Sequence, residues 1–182
     1  MNSKANIKRR LILDTAKQIT LSDGFNSLTL DAVAKKAEIS KGGLLYHFPS
    51  KESLIKGLAQ FIFDEFATNF YRYAESDPKK TGKWSRALIA ATKADIKNNA
   101  ELNVGIIAAS FLDPEVSTNI SNDYNSILKK LEDDGINIVT TTIIRLALDG
   151  LYYSQTFDVA SLEEARINKV INRLIEMTES EG

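Results

Sequence analysis

A chain of 182 residues has room for one domain or two small ones, and 43% hydrophobic with 26% charged residues describes an ordinary packed core, neither disordered nor membrane-buried. It has no cysteine, which excludes disulfides, thiolate zinc sites and cysteine nucleophiles and suits a reducing cytoplasm. The net charge is −1 but unevenly spread: residues 1–60 carry ten Lys/Arg against five Asp/Glu, and residues 61–182 thirteen against nineteen, so the first third is a candidate phosphate-facing surface.

Apolar spacing is helical almost throughout. Ile12, Leu13, Ala16 and Ile19 share one face of a first helix that stops at Gly24, and Gly24-Phe25-Asn26 is a turn whose Phe25 is expected to tuck into the core. Thr29 is a suitable N-cap for a second helix with Asp31 near the positive end of its dipole and Leu30, Val33, Ala34 and Ala37 inward. Ser40 caps a third helix whose inward residues are Leu44, Leu45 and Phe48. Pro49-Ser50 opens a long fourth helix, with i/i+4 apolar spacing from Leu54 to about Tyr73, and Ser76–Lys83 is the clearest break in the chain.

The remainder continues in helices. Trp84, Leu88 and Ile96 mark a fifth, and Leu102–Leu112 is apolar nearly all round. Asp113-Pro114 opens a helix with the stripe Val116, Ile120, Tyr124, Ile127, Leu128 and Leu131, ending at Asp133-Asp134-Gly135. Asn137–Phe157 contains the β-branched run IVTTTII, yet Val139, Ile143, Leu146 and Ala147 repeat at helical spacing and no partner strand exists elsewhere. Ser161 to Glu164 reads as a capping box for a last helix with Ile167, Val170, Ile171, Leu174 and Ile175 on one face. The fold expected is all-α, with about nine helices. The longest uncharged apolar stretches fall far below the ~20 residues that span a bilayer, and no apolar run suited to a signal peptide follows the basic start MNSKANIKRR. A cytoplasmic protein with no membrane partner is expected.

The stretch Thr29 to Lys51, TLDAVAKKAEISKGGLLYHFPSK, carries the chemistry. It reads as a short helix, a tight turn and a second short helix with little bulk at its start, a helix-turn-helix over about residues 29–48 that fits the DNA major groove. Gly42 and Gly43 cost about 1 kcal/mol each in helix propensity relative to alanine, which points to a need for close approach of the main chain to base edges. Lys41 is placed to reach a guanine edge or a phosphate. Tyr46 and His47 are polar-tipped rings suited to phosphate contacts. Thr29 and Ser50 cap helices whose N-termini can each hold a phosphate, Ser40 starts the recognition helix, and Lys51 adds charge beside Ser50. Lys8, Arg9 and Arg10 form a further basic cluster. An enzyme is not expected: the chain has no phosphate loop, no dinucleotide fingerprint, no metal-ligand cluster and no serine–histidine–acid arrangement, and its sole histidine lies inside the motif above.

Residues 6–66 resemble the DNA-binding domain of TetR/AcrR-type bacterial transcriptional regulators. The resemblance rests on Ile12-Leu13-Asp14-Thr15-Ala16, Gly24-Phe25, Leu28-Thr29, Val33-Ala34-Lys35-Lys36-Ala37 and SKGGLLYHFPSKESL from Ser40 to Leu54. It implies a homodimer that binds operator DNA, usually as a repressor, and lets go when a small molecule enters a helical domain at residues 67–182. It places Thr29, His47 and Lys51 at phosphate-contacting positions and Lys41, Gly42 and Gly43 at base-reading ones. The chain departs from the pattern at Leu45, where many members have tyrosine, at Gly43, where relatives often carry a hydroxyl or methyl, and at Thr20, a common apolar position. The resemblance also implies that Asn137–Phe157 and the last helix build a four-helix dimer interface, to which Leu151, Tyr152 and Tyr153 add aromatics. Candidate walls of an effector site are Trp84, Asn103, Phe111, Tyr124, Arg145 and Asp149, although Arg145 and Asp149, four apart, also suit a simple intrahelical pair. No cofactor is expected. A non-regulatory DNA-binding protein on the same fold, serving chromosome organisation or division, is the alternative.

Overall fold

The computed structural model describes residues 4–112 and 114–179, with side chains for all of these except 98, 100–112 and 116. Among the described residues there are eight α-helices and no strand: α1 (Lys4–Asp23), a short 3-10 turn (Phe25–Ser27), α2 (Leu30–Lys36), α3 (Lys41–His47), α4 (Lys51–Ser76), α5 (Lys83–Leu112), α6 (Pro114–Glu132), α7 (Ile138–Thr156) and α8 (Glu164–Met177). The segments expected as two helices around Ile96 and Leu102 are one 30-residue helix, α5. The link between them, Lys97 to Glu101, holds no glycine or proline to end it.

The residues cluster into two compact units, 1–63 with 101–118, and 64–100 with 119–182. In the first unit the core is Ile12, Leu13, Ala16 and Ile19 of α1, Leu28, Val33, Ala34 and Ala37, then Leu44 and Phe48, then Leu54, Leu58 and Ile62. Each fully buried Leu, Ile, Val or Phe among them contributes about 1.5–3 kcal/mol. Thr20 is wholly buried here, and its hydroxyl donates to the Ala16 carbonyl at 3.0 Å, so the polar group sits in the core without an unmet hydrogen bond. Phe25 is only half-buried; Leu28 takes the core position.

The second unit is built around Phe70, Leu88, Ile89, Ile127, Leu131, Ile144, Leu148, Leu151, Ile171 and Leu174. Asp134, almost fully buried, accepts from the Trp84 and Ser85 amides at 2.8 and 2.7 Å, so the start of α5 is capped by a carboxylate fifty residues away in sequence. Arg86 forks onto Asp77 at 2.7 and 3.0 Å and also donates to Thr178 Oγ1 and to the carbonyls of Lys79 and Thr81. This one guanidinium fastens the 77–82 loop to the end of α8.

The β-branched run of α7 is helical, as its apolar spacing predicts. Asn137 caps it by accepting from the Val139 amide, and the Thr141 and Thr142 hydroxyls bond back to the Asn137 and Ile138 carbonyls. Its inward face is Thr141, Ile144, Leu148 and Leu151, while Ile138, Val139, Ile143, Leu146, Tyr153 and Phe157 are exposed. The capping box expected at Ser161–Glu164 does not form. Helix α8 is capped at Glu163 without a side-chain bond, and Ser161 donates instead to Asp158, which takes a left-handed conformation. No helix among the described residues is long and apolar enough to cross a membrane.

Candidate nucleic-acid interface

The short helices α2 and α3 are each started by a hydroxyl. Thr29 Oγ1 accepts from the Ala32 amide and Ser40 Oγ from the Gly43 amide, both at 3.1 Å. Between them the chain turns sharply. Ile39 N–H donates to the Ala34 carbonyl at 3.0 Å and Glu38 N–H to that of Lys35 at 3.3 Å, with Glu38 at φ 54°. This is a Schellman closure, with glutamate in the left-handed position that usually favours glycine.

Helix α3 has two unlike faces. Leu44 and Phe48 are buried, and Phe48 lies in a slot that exists because residue 57 is glycine: a Cβ there would stand 2.6 Å from the Phe48 ring. The Arg9 guanidinium covers the same ring at 4.5 Å, which gives one member of the N-terminal basic cluster an anchoring contact. The opposite face is open. Lys41 and Gly42 are exposed, and Tyr46 is 81% exposed. A Cβ on Gly42 would meet nothing within 4 Å, so internal packing supplies no reason for glycine there. Gly43 is half-buried, and a Cβ on it would stand 3.1 Å from Ser40 Oγ, the capping atom. The His47 ring meets Tyr46 edge-on, with centroids 5.1 Å apart. Lys41 Nζ lies 2.8 Å from Asp31 Oδ1, a partner the sequence pattern suggests only as a charge near the helix dipole.

Beyond α3, Ser50 and Ser53 cap the start of α4 reciprocally, each amide donating to the other's hydroxyl at 3.0 and 3.1 Å. The amide at its own position and the Ser50 hydroxyl hold the Glu52 carboxyl below the ordinary carboxylate range. Lys51, the first residue of α4, sets its ammonium 6.0 Å from the Phe25 ring centroid. Thr29, Ser40, Lys41, Gly42, Gly43, Tyr46, His47 and Lys51 therefore sit on α2, on α3 or at the helix starts beside them, all within the first unit.

In the second unit, Tyr124, Arg145 and Asp149 come together. Arg145 Nε donates to Asp149 Oδ2 at 3.2 Å and the Tyr124 hydroxyl to Asp149 Oδ1 at 3.4 Å. Burial and the nearby Asp149 charge raise the Tyr124 pKa well above its ordinary value, so it stays a donor. Trp84 has other neighbours: it stacks on Phe70 at 5.5 Å, meets Tyr71 edge-on and lies under the ammonium groups of Lys83 and Lys130. Asn103 and Phe111 lie outside the residues whose side chains are described. A polar cluster that sequence pattern does not single out is Asp95, Asn99 and Tyr152. Asn99 Nδ2 donates to Asp95 Oδ1 at 2.6 Å, the Tyr152 hydroxyl also bonds Asp95, and the buried Asn99 Oδ1 has no hydrogen-bond partner among the described residues. Of Leu151, Tyr152 and Tyr153, Leu151 is buried, Tyr152 is half-buried and Tyr153 faces out.

Residues 12–58 match the model for bacterial regulatory proteins of the tetR family, and residues 82–179 match that for the tetracyclin repressor-like C-terminal domain. The HTH-type transcriptional regulator UidR of Escherichia coli (strain K12) is 27% identical over 176 residues, 91% of this chain and 88% of that protein. The nucleoid occlusion factor SlmA of Marinomonas sp. (strain MWYL1) is 32% identical over 42% of this chain and 39% of its own length, and one curated relative matches over only 21% of its length. Among solved structures, the multidrug binding protein EbrR complexed with ethidium superposes with a TM-score of 0.63 at 20% identity, covering 96% of this chain and 99% of that one, which shows the shared fold. With the helix-turn-helix geometry in place and both family models matched, the chain belongs to the TetR family of DNA-binding transcription regulators.

Proposed function

We propose that the protein is a repressor that binds a palindrome-like operator as a homodimer and is released by a small-molecule effector, with DNA binding assigned to residues 6–66 and effector binding and dimerisation to residues 67–182. The observation that carries this reading is the split character of α3: Leu44 and Phe48 fix it to the core, while Lys41, Gly42 and Tyr46 face outward with a gap in bulk at Gly42. Such an edge lets the main chain approach base edges in the major groove. Thr29, Ser50, His47 and Lys51 take the phosphates on either side. The exposed stripe of α7 supports a second copy, and two recognition helices in the dimer then lie about 34–36 Å apart, one DNA turn.

The effector is bound in the second unit, where the Tyr124–Arg145–Asp149 set and the Asp95–Asn99–Tyr152 cluster supply polar groups amid apolar helices. Trp84 remains a candidate wall of that site; Asn103 and Phe111 fall in the 101–118 stretch that clusters with the first unit. That EbrR was solved with ethidium supports small-molecule binding by a chain of this fold. The protein acts in the cytoplasm and without catalysis. The test is operator selection from random duplexes followed by gel shifts. Lys41→Ala and His47→Ala should each weaken operator binding by about tenfold, the scale of one lost base or phosphate contact, with melting temperature unchanged. Unchanged shifts for both would show that α3 does not face DNA.

The alternative, a chromosome-organising or division-linked role, draws support from the partial SlmA similarity; the near full-length similarity to UidR favours the regulator. Genome-wide occupancy separates them: a few promoter-proximal sites for the regulator, many dispersed sites for the other.

A further inference from the structure

Asp31 and Lys41 hold opposite charges at two helix starts on either side of the turn. Asp31 is the second residue of α2 and Lys41 the first of α3, with Oδ1 and Nζ 2.8 Å apart and side chains 73% and 61% exposed. An ion pair this exposed contributes little to stability, so it does not hold the fold together. The helix dipole accounts for an acid in the first turn of α2. It does not account for the carboxylate engaging the ammonium beside Gly42. On a phosphate-facing surface a carboxylate is repulsive toward every duplex, whatever its sequence.

We propose that Asp31 is a specificity-determining residue: it withholds Lys41 from phosphates, and the pair docks together only where the groove offers an acceptor to the ammonium and a donor to the carboxylate. Base edges provide both. Guanine N7 and O6 accept from lysine, and the amino groups of cytosine and adenine donate to a carboxylate. A duplex held through phosphates alone satisfies Lys41 and leaves Asp31 facing negative charge. Built-in repulsion of the wrong partner is a general route to discrimination. This inference rests on the DNA-binding role of α3 proposed above.

The experiment uses the full chain and an operator selected by it from random duplexes. Binding of the operator and of random duplex is measured by fluorescence anisotropy across a salt series for wild type, Asp31→Asn, Lys41→Gln and the double variant. Asp31→Asn should strengthen random-duplex binding and lower the operator-to-random ratio by about tenfold. It should steepen the random-duplex salt slope by about 1, the signature of one added phosphate contact. In the Lys41→Gln background that steepening should vanish. A ratio within about twofold of wild type, well under the cost of one base-pair mismatch, would overturn the role of Asp31. So would equal steepening in both backgrounds, since that is plain charge removal. If wild type selects no sequence at all, the regulator reading falls as well; a selected operator with an unchanged ratio removes only this inference.

Discussion

Arg86 illustrates how one residue can hold a junction that no local pattern announces. Its side chain and that of Asp77 are only 12% and 14% exposed, and the guanidinium also satisfies two loop carbonyls and Thr178. The hydrogen bonds from Arg86 hold the Asp77 carboxyl below its usual range. A depressed carboxylate contributes stability that is present above the unfolded value of about 3.9 and is lost as pH falls through the folded one. Chemical denaturation across pH 2–6 should therefore show wild type losing stability below about pH 4 more steeply than Asp77→Asn. Arg86→Ala should cost about 3 kcal/mol at neutral pH, the scale of a broken buried pair. A flat comparison between wild type and Asp77→Asn would mean that the pair is held too loosely to matter.

Helix α7 carries the argument at the scale of elements. Its outward residues Val139, Ile143, Leu146, Tyr153 and Phe157, with Gly150 between them, recur at spacings of three and four along one side. That repeat is what identifies IVTTTII as helix against its β-branched composition, yet in one chain these residues face out and Thr141, Ile144, Leu148 and Leu151 make the core. A continuous apolar stripe of this kind marks an interaction surface. If this stripe is the seam of the proposed homodimer, Leu146→Glu should convert dimer to monomer in size-exclusion chromatography with light scattering, with helical circular dichroism retained. An unchanged dimer would place the interface elsewhere.

The same comparison shows what the chain made legible. Helices α2, α3, α6 and α7 could be placed from caps, prolines and apolar spacing, because those signals are local. The α5 segments read as two helices because composition changes at Leu102 from mixed to largely apolar, although nothing there ends a helix. The box at Ser161 failed because Asp158 captured the hydroxyl. Long-range groups were not legible at all. The Asp134 cap on α5 and the Gly57 slot for Phe48 join residues with no sequence relation.

At the scale of the whole molecule, one unit carries α3, seated through Leu44 and Phe48, and the other carries an exposed apolar stripe and two polar clusters. Under the proposed DNA-binding role, α3 lacks bulk at Gly42 for the sake of DNA and not of the fold. The two demands give opposite signs for one substitution. The Cβ that Gly42→Leu adds meets nothing within 4 Å on this exposed face, so better helix propensity should raise unfolding stability by roughly 0.5–1 kcal/mol. The same side chain should hold the helix off the base edges and weaken binding to the selected operator by about a hundredfold, near the cost of two base contacts. Measured together on Gly42→Leu, higher stability with lost operator binding is expected; higher stability with wild-type operator affinity would mean that Gly42 does not face the bases.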